Sequence, residues 1–510
     1  MGSRTNTLFV IIDQLRADCL FGALGQHAHL PNLRALMSDG VSFANHYSVC
    51  APCGPSRASI LTGQYAMNHR AVRNGTPLRH DTPNLATELR RAGHDPMLFG
   101  YTDSAQDPRA LAPSDPRLHS YEEVMPGFRE VVRQRQEDDI GPWRAYLVAH
   151  GYKVPAFPAL YRPDVAQPDL QDLTGPDLCA PALYAAKDSD TAFLTDRLLE
   201  DLAARPRGWF AHITYIRPHP PFVAPAPYNQ MYDPAAMPAA LSDTYEHPHK
   251  AATRRARPIS GVVEGFGDLQ PTPENIARIR AVYLGLATEV DHHIGRIVAY
   301  LNHSQQFEDT LIVITSDHGE MLGDYGLWGK QTYHDAAFHT PLIIRDPVNR
   351  TTAGSVITTP TESVDVTPTM LDLLNVDVPH SMDGRSLRPF VQGTPPQDWR
   401  THTFSELDYG NPIQPSSWQR ALGIGHDQAN LSVVRTDRYR LVQFASDLAP
   451  ILFDMTQAGE AQNIAADPTA FGPLLDMTQR MLQHRMRHPE GTFAHTLIGP
   501  NGPETAALAR

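Results

Sequence analysis

Two cysteines stand three positions apart in the stretch HYSVCAPCGPSRASILTG, residues 46–63. Cys50 and Cys53 form a C-x-x-C pair, the spacing of a thiol–disulfide or metal-binding element. Read with Arg57, Cys53 instead begins a C-x-P-x-R element. Pro55 suits a first helical turn and Gly63 a C-terminal stop, so residues 55–62 are predicted as a short helix. Cys53 then sits at the helix N-terminus, where unpaired N–H groups and the dipole favour an anion. Arg57, four residues on, projects back along the same face and can fix an oxygen or a phosphoryl group with its guanidinium fork. A thiolate gains from that position too, so these residues alone leave the redox reading open.

Further polar residues follow short apolar, β-rich runs. TLFVII (7–12) runs into Asp13 and Gln14, and PMLFGY (96–101) ends on Tyr101, followed by Thr102 and Asp103. WFAHITYI (209–216) leads to Arg217 and His219, and TLIVIT (310–315) leads to Asp317 and His318. Each acid or imidazole alone reads as a turn former or helix cap. Together, four strands deliver such groups to one edge, and open α/β sheets bind ligands at the carboxyl ends of their strands. Asp13, Gln14, Asp317 and His318 make a mostly oxygen donor set with one nitrogen. That suits a hard or borderline divalent ion such as Ca²⁺, Mg²⁺ or Mn²⁺, whereas a structural zinc site wants thiolates. His334 and the pair His292–His293 read as structural or surface residues. Arg217 reads equally as a turn cap before Pro218 or as a functional cation.

The elements that position these groups alternate strand and helix. The runs above and PLIIR (341–345) look like strands buried on both faces, as in a parallel sheet flanked by helices. Helical patterns lie between them over 30–40, 82–93, 189–205 and 278–302, with Ser189 or Asp190 as the N-cap of the third. The fold class is therefore α/β, with a large mostly parallel sheet in residues 1–384. Residues 130–187 are Pro-rich and irregular and read as an insertion near the substrate mouth. From residue 385 the pattern changes to a smaller α+β domain, with a hairpin over 431–444 turning at Thr436–Asp437 and a helix over 468–488. The final stretch, 489–510, reads as a disordered tail or an arm on a neighbouring subunit.

The 510 residues carry a formal charge of −13, which argues against nucleic acid or an anionic membrane as the main partner. Four cysteines are too few for a disulfide scaffold, no run reaches the ~20 apolar residues of a membrane span, and the chain is expected to be cytoplasmic.

The element CGPSR followed by ASILTG resembles the type I sulfatases of the alkaline phosphatase superfamily. With DQLRAD, MNHRAVRNGTPL, GYTDSAQDPR, RPHPPFVAPAPYNQMY, TSDHGEMLGDYGLWGK, DGRSLRPF and LFDM, nearly the whole chain resembles their phosphonate monoester hydrolase/phosphodiesterase branch. The resemblance implies that Cys53 is oxidised by a formylglycine-generating or equivalent maturation enzyme and that its aldehyde hydrate is the nucleophile, Cys50 being a bystander. It implies one divalent metal held by Asp13, Gln14, Asp317 and His318 with residue 53, Mn²⁺ favoured by the branch and Ca²⁺ by the wider family. Arg57 would orient the nucleophile. Asn74, Tyr101, His219 and Lys330 would bind the transferred group or assist the leaving group. The implied reaction is hydrolysis of small anionic phosphonate monoesters and phosphodiesters with weaker sulfatase activity, in a homotetramer. The alternatives are a true arylsulfatase or, in another class, a thiol redox or metal-binding protein using Cys50 and Cys53. One departure stands out: Asp103 occupies a position where the family places threonine, and its carboxylate would repel an anionic substrate unless it turns away.

Overall fold

Every second residue of the strand Asn6–Ile12 faces the same side of the sheet, and both sides are buried. Leu8, Val10 and Ile12 pack among Leu33, Leu36, Ile279, Val282 and Leu198. Phe9 and Ile11 pack on the opposite face against Ile60, Leu61, Leu85, Leu89 and Met370. This period-2 division is what a strand with helices on both faces requires. The computed structural model describes residues 5–136, 140–164, 178–488, 496–500 and 502–505.

The strand lies near the middle of an eight-stranded sheet. In spatial order the strands are Arg129–Arg133, Pro96–Gly100, Phe210–Tyr215, Asn6–Ile12, Thr310–Thr315, Leu342–Arg345, Val41–Phe43 and Val356–Ile357. The first five are mutually parallel. All five strands expected from the sequence are present, but Leu342–Arg345 runs antiparallel to its neighbours on both sides. Burial on both faces gives such a strand the same composition whichever way it runs, so direction leaves no trace in the run itself.

Helices Pro31–Asp39, Asp190–Ala203 and Pro273–His303 cover one face. Ser189 caps the second of them by accepting from the Ala192 N–H. The other face is covered by Cys53–Thr62 and Leu85–Arg91. All ten residues of Cys53–Thr62 are buried, and burying side chains such as Ile60 and Leu61 contributes about 1.5–3 kcal/mol each. Gly63 ends this helix at φ +65°, with its N–H on the Ser59 carbonyl, a left-handed cap that favours glycine.

The stretch 130–187 is not wholly irregular. It opens within the edge strand Arg129–Arg133 and carries the helix Gly141–Ala149, whose Trp143 and Leu147 are buried. Residues 137–139 and 165–177 of it lie outside the described residues. Later in the chain, Thr403–Asp408, Asn430–Arg435, Tyr439–Phe444 and Ile451–Asp454 form a four-stranded antiparallel sheet. The expected hairpin occupies its centre, and the expected helix runs over Phe471–Arg487 with Met477 and Met481 against Phe404, Val434 and Leu441. Within the final stretch, read as lacking periodicity, Thr496–Gly499 pairs with Gly502–Thr505; residues 489–495, 501 and 506–510 lie outside the description. No helix among the described residues is long and apolar enough to cross a membrane.

Candidate active site

The carboxyl ends of the central strands open into a cavity of about 620 Å³. Asp13, Gln14, Cys53, Asn74, Tyr101, Asp103, His219 and Lys330 all line it. Asp13 follows the first strand and extends its ladder, its N–H donating to the Tyr215 carbonyl at 2.9 Å. Gln14 then turns at φ +67°, a left-handed conformation uncommon for a non-glycine residue and often found at functional sites. Its N–H donates to Asp317 Oδ1 at 3.0 Å, which ties the ends of two adjacent strands together.

Arg57 is the hub of the site. It is fully buried on the helix that begins at Cys53. Its Nη2 donates to Asp13 Oδ2 at 2.9 Å and its Nε to Asp317 Oδ2 at 3.1 Å. The Tyr101 hydroxyl donates to Asp13 Oδ2 at 2.5 Å, and the Arg57 guanidinium lies 4.3 Å from the Tyr101 ring centre. Burial opposes the Arg57 charge, but Tyr101, Asp317, Asp13 and Asp103 outweigh it and raise its pKa.

Asp13, Cys53, Asp317 and His318 are buried, with their donor atoms all within 4.8 Å of one another. His318 Nδ1 lies 3.0 Å from the Gly319 carbonyl, which can only accept. The proton therefore resides on Nδ1, and the Nε2 lone pair faces the cluster, 3.2 Å from Cys53 Sγ. Burial and then Lys330 push His318 down to about 3. Asp13 Oδ1 is buried and has no hydrogen-bond partner, an orphan that buried polar groups rarely tolerate. Four buried carboxylates, Asp13, Asp103, Asp317 and Glu320, stand around two cations, Arg57 and Lys330. A divalent cation matches that imbalance, the orphaned oxygen and the oxygen-rich donor set, so these residues fit the metal the sequence led us to expect. Gln14 belongs to the same surface: its Oε1 accepts from Lys330 Nζ at 2.6 Å, and its Nε2 donates to Glu320.

Lys330 and His219 are half-buried on the cavity wall. Burial opposes the Lys330 charge, while Cys53, Asp13 and Asp317 act the other way and raise its pKa. His219 Nδ1 lies 2.5 Å from the Pro220 carbonyl, and burial, then Lys330, lower it to about 3. Asn74 Oδ1 accepts from the Gly54 N–H at 3.0 Å, fixing it beside the start of the Cys53 helix. Arg217 does not line the cavity. It pairs with Asp190 at 3.1 Å and donates to the His219 and Pro221 carbonyls, so it holds the loop that carries His219. His334 is buried and stacked on Tyr325 and Tyr333, and His292 accepts from or donates to the Tyr228 hydroxyl at 2.6 Å.

Asp103 does line the cavity, yet its Oδ2 lies 3.5 Å from Arg57 Nε. Burial, Glu122, Asp13 and Asp317 raise its pKa against the pull of Arg57. The repulsion expected from its type is thus countered by a guanidinium in contact. Both cysteines of the C-x-x-C pair are free thiols. Burial raises the pKa of each, and Cys50 lies in an apolar cluster with Tyr65 and Phe404, its Sγ 3.3 Å from Ser59 Oγ. Neither thiol is poised as a thiolate.

Sequence reasoning passed over several residues. Glu320, within the same SDHGE run as Asp317, orients Gln14 and accepts from the Leu322 N–H at 3.2 Å; its place three residues after Asp317 was the available signal. Arg73, Tyr121, Phe157, Arg257 and Trp328 form cavity walls from loops that carry no periodic signal. Gln136, Phe157 and Pro158, from the 130–187 stretch, also line the cavity.

Comparison with known proteins places this geometry in context. The family described as Sulfatase matches residues 5–376, and one described as N-sulphoglucosamine sulphohydrolase, C-terminal, matches residues 323–487. The chain is similar to the phosphonate monoester hydrolase SpPMH from Silicibacter pomeroyi, with 53% identity and a TM-score of 0.93 over 98% of this chain and 99% of that one. It is also similar to the phosphonate monoester hydrolase of Agrobacterium radiobacter, with 36% identity and a TM-score of 0.89 over 99% of this chain and 100% of that one. A third relative, the multifunctional alkaline phosphatase superfamily protein PehA of Trinickia caryophylli, is 37% identical over 99% of both chains.

Proposed function

The chain belongs to the sulfatase family, and on that premise we propose that it hydrolyses phosphonate monoesters and phosphodiesters, with weaker sulfatase activity. The observation that carries this reading is the buried cluster of Asp13, Cys53, Asp317 and His318 at the cavity floor, joined there by Gln14. A neutral amide at that position leaves a bound cation's charge less compensated, which favours an anionic phosphorus centre. The likeness to two phosphonate monoester hydrolases supports the same substrate class.

Asp13, Gln14, Asp317 and His318, with residue 53, would hold one divalent ion, Mn²⁺ in first place by the resemblance to the phosphonate monoester hydrolase branch, and Ca²⁺ in second by that to the wider family; the donor set suits either. A bound ion would supply Lewis-acid polarisation, and the hydrated aldehyde of a matured Cys53 would supply a nucleophilic hydroxyl. The chain's own groups prepare the rest. Arg57 and Tyr101 fix the carboxylate oxygens of Asp13 and Asp317 before substrate arrives. Asn74 presents its amide beside residue 53. Lys330 carries the positive charge that faces the substrate and the leaving oxygen. His219, whose Nδ1 faces the Pro220 carbonyl and whose pKa is lowered by burial and then by Lys330, would position the ester, with the leaving oxygen left to Lys330.

This division is testable on aryl phenylphosphonates of rising leaving-group pKa. Lys330→Ala is expected to lower kcat/KM by about 10²-fold, with the loss growing as the leaving group becomes more basic. His219→Asn is expected to lose about tenfold or less, with the dependence of the wild type. A Lys330→Ala line parallel to wild type removes Lys330 from the leaving oxygen. Absence of turnover by the metal-loaded, matured wild type removes the functional reading.

We further assign residues 1–384 to the catalytic domain and 385–510 to a smaller subdomain. We place the enzyme in the cytoplasm, where the buried thiols other than Cys53, those of Cys19, Cys50 and Cys179, remain reduced. The homotetramer expected from the family is supported by an exposed apolar stripe of Phe471, Leu475, Leu482 and Met486 along one helix.

A further inference from the structure

Two arginines on the cavity wall make no close ion pair among the described residues. Arg73 and Arg257 both line the cavity, and among the described residues neither makes an ion pair with a carboxylate. Arg73 Nη1 donates to the Gly410 carbonyl at 3.0 Å. Arg257 Nε donates to Gln331 Oε1 at 3.0 Å, its Nη2 donates to the same oxygen, and its guanidinium lies 5.7 Å from the Trp418 ring centre. A guanidinium has five N–H donors, so each keeps donors that these neutral partners do not use.

The carboxylates on the same wall are placed differently. Asp103 faces Arg57, Glu264 pairs with Arg162 at 3.4 Å, and Glu122 accepts from the Gln136 N–H at 3.2 Å. Each of these carboxylates has a cation or a backbone N–H against it, whereas at hydrogen-bond distance Arg73 and Arg257 meet only neutral oxygens, with Asp408 and Glu320 acting on them from further off. Burial lowers the Arg257 pKa, and Glu320 and Cys53 act against that shift. The cavity, at about 620 Å³, falls in the size range of sites for whole small-molecule ligands and is far larger than one tetrahedral anion needs. Tyr121 and Phe157 supply apolar wall alongside the two cations.

We propose that Arg73 and Arg257 form a second anion subsite, so that the preferred substrate is a phosphorus ester carrying a further carboxylate or phosphate group on one arm. The inference rests on the hydrolase reading above and names its substrate class.

The test compares aryl phosphodiesters that differ only in the second arm, which is ethyl, carboxyethyl or phosphoethyl, using the metal-loaded, matured enzyme. One or both charged arms are expected to exceed ethyl in kcat/KM by about tenfold or more, and the arm that gains more identifies the anion. In Arg73→Gln with Arg257→Gln the charged-to-ethyl ratio is expected to fall to about one. Equal kcat/KM for the three arms in wild type overturns the subsite, as does an unchanged ratio in the double variant. Failure of every diester overturns the functional reading instead. The subsite is then read without turnover, as the affinity of carboxyethylphosphonate relative to ethylphosphonate for Cys53→Ala. Tighter binding of the carboxyethyl compound that Arg257→Gln removes supports it, and equal binding overturns it.

Discussion

Cys53→Ala is expected to lower kcat/KM for an aryl phenylphosphonate by at least about 10⁴-fold, while Cys50→Ala stays within about threefold of wild type. The contrast follows from position. Cys53 Sγ lies 3.2 Å from His318 Nε2, at the floor of the cavity and the start of a helix. Alanine there removes the precursor of the nucleophile and one member of the donor cluster together. Cys50 lies among apolar side chains behind that helix, with its Sγ 3.3 Å from the Ser59 hydroxyl. Its loss deletes one buried sulfur, which costs stability and leaves the cavity intact. A redox mechanism through the C-x-x-C pair predicts that both replacements are equally damaging. Initial rates on metal-loaded variants, with the mass of the Cys53 peptide as a check on maturation, separate the two.

Asp317→Asn is expected to lower divalent-ion affinity by about 10–100-fold and kcat/KM by about 10³-fold. Asp317 holds three donors at once. Its Oδ2 accepts from Arg57 Nε at 3.1 Å, and its Oδ1 accepts from the Gln14 N–H at 3.0 Å and the His318 N–H at 2.9 Å. An amide nitrogen in place of either oxygen turns a donor toward a donor. The replacement also removes one negative charge from the set that balances the ion. Plasma mass spectrometry after dialysis gives the metal content, and added Mn²⁺ is expected to restore part of the rate. A variant with full metal content and wild-type turnover contradicts the assignment of Asp317 as a ligand.

The sheet and the ends of its strands were legible because buried strands are short apolar runs, and a polar residue ending such a run marks its carboxyl edge. Asp13, Gln14, Asp317 and His318 stand out that way, and the structure brings them together with Cys53. The edge strand Arg129–Arg133 was missed because its half-polar sequence, REVVR, reads as loop. The direction of Leu342–Arg345 was missed because register and direction depend on partners far away in sequence. The same limit applies inside the site. Asp103 lies against Arg57, 46 positions earlier in the chain, through a contact no local pattern encodes. Arg73 and Arg257 reach the cavity from loops, where chemistry is placed by the scaffold and not by periodicity. Gln14 was legible as a residue type, but its left-handed backbone, which turns the chain at the floor of the site, was not.

The most direct test of the account is the ratio of kcat/KM for an aryl phenylphosphonate to that for an aryl sulfate with the same leaving group, measured on matured, metal-loaded wild type. The account predicts that the phosphonate is favoured by about tenfold or more, because Gln14 leaves the bound cation undercompensated before a phosphorus centre. A ratio favouring the sulfate contradicts it, and turns the same residues into the machinery of an arylsulfatase.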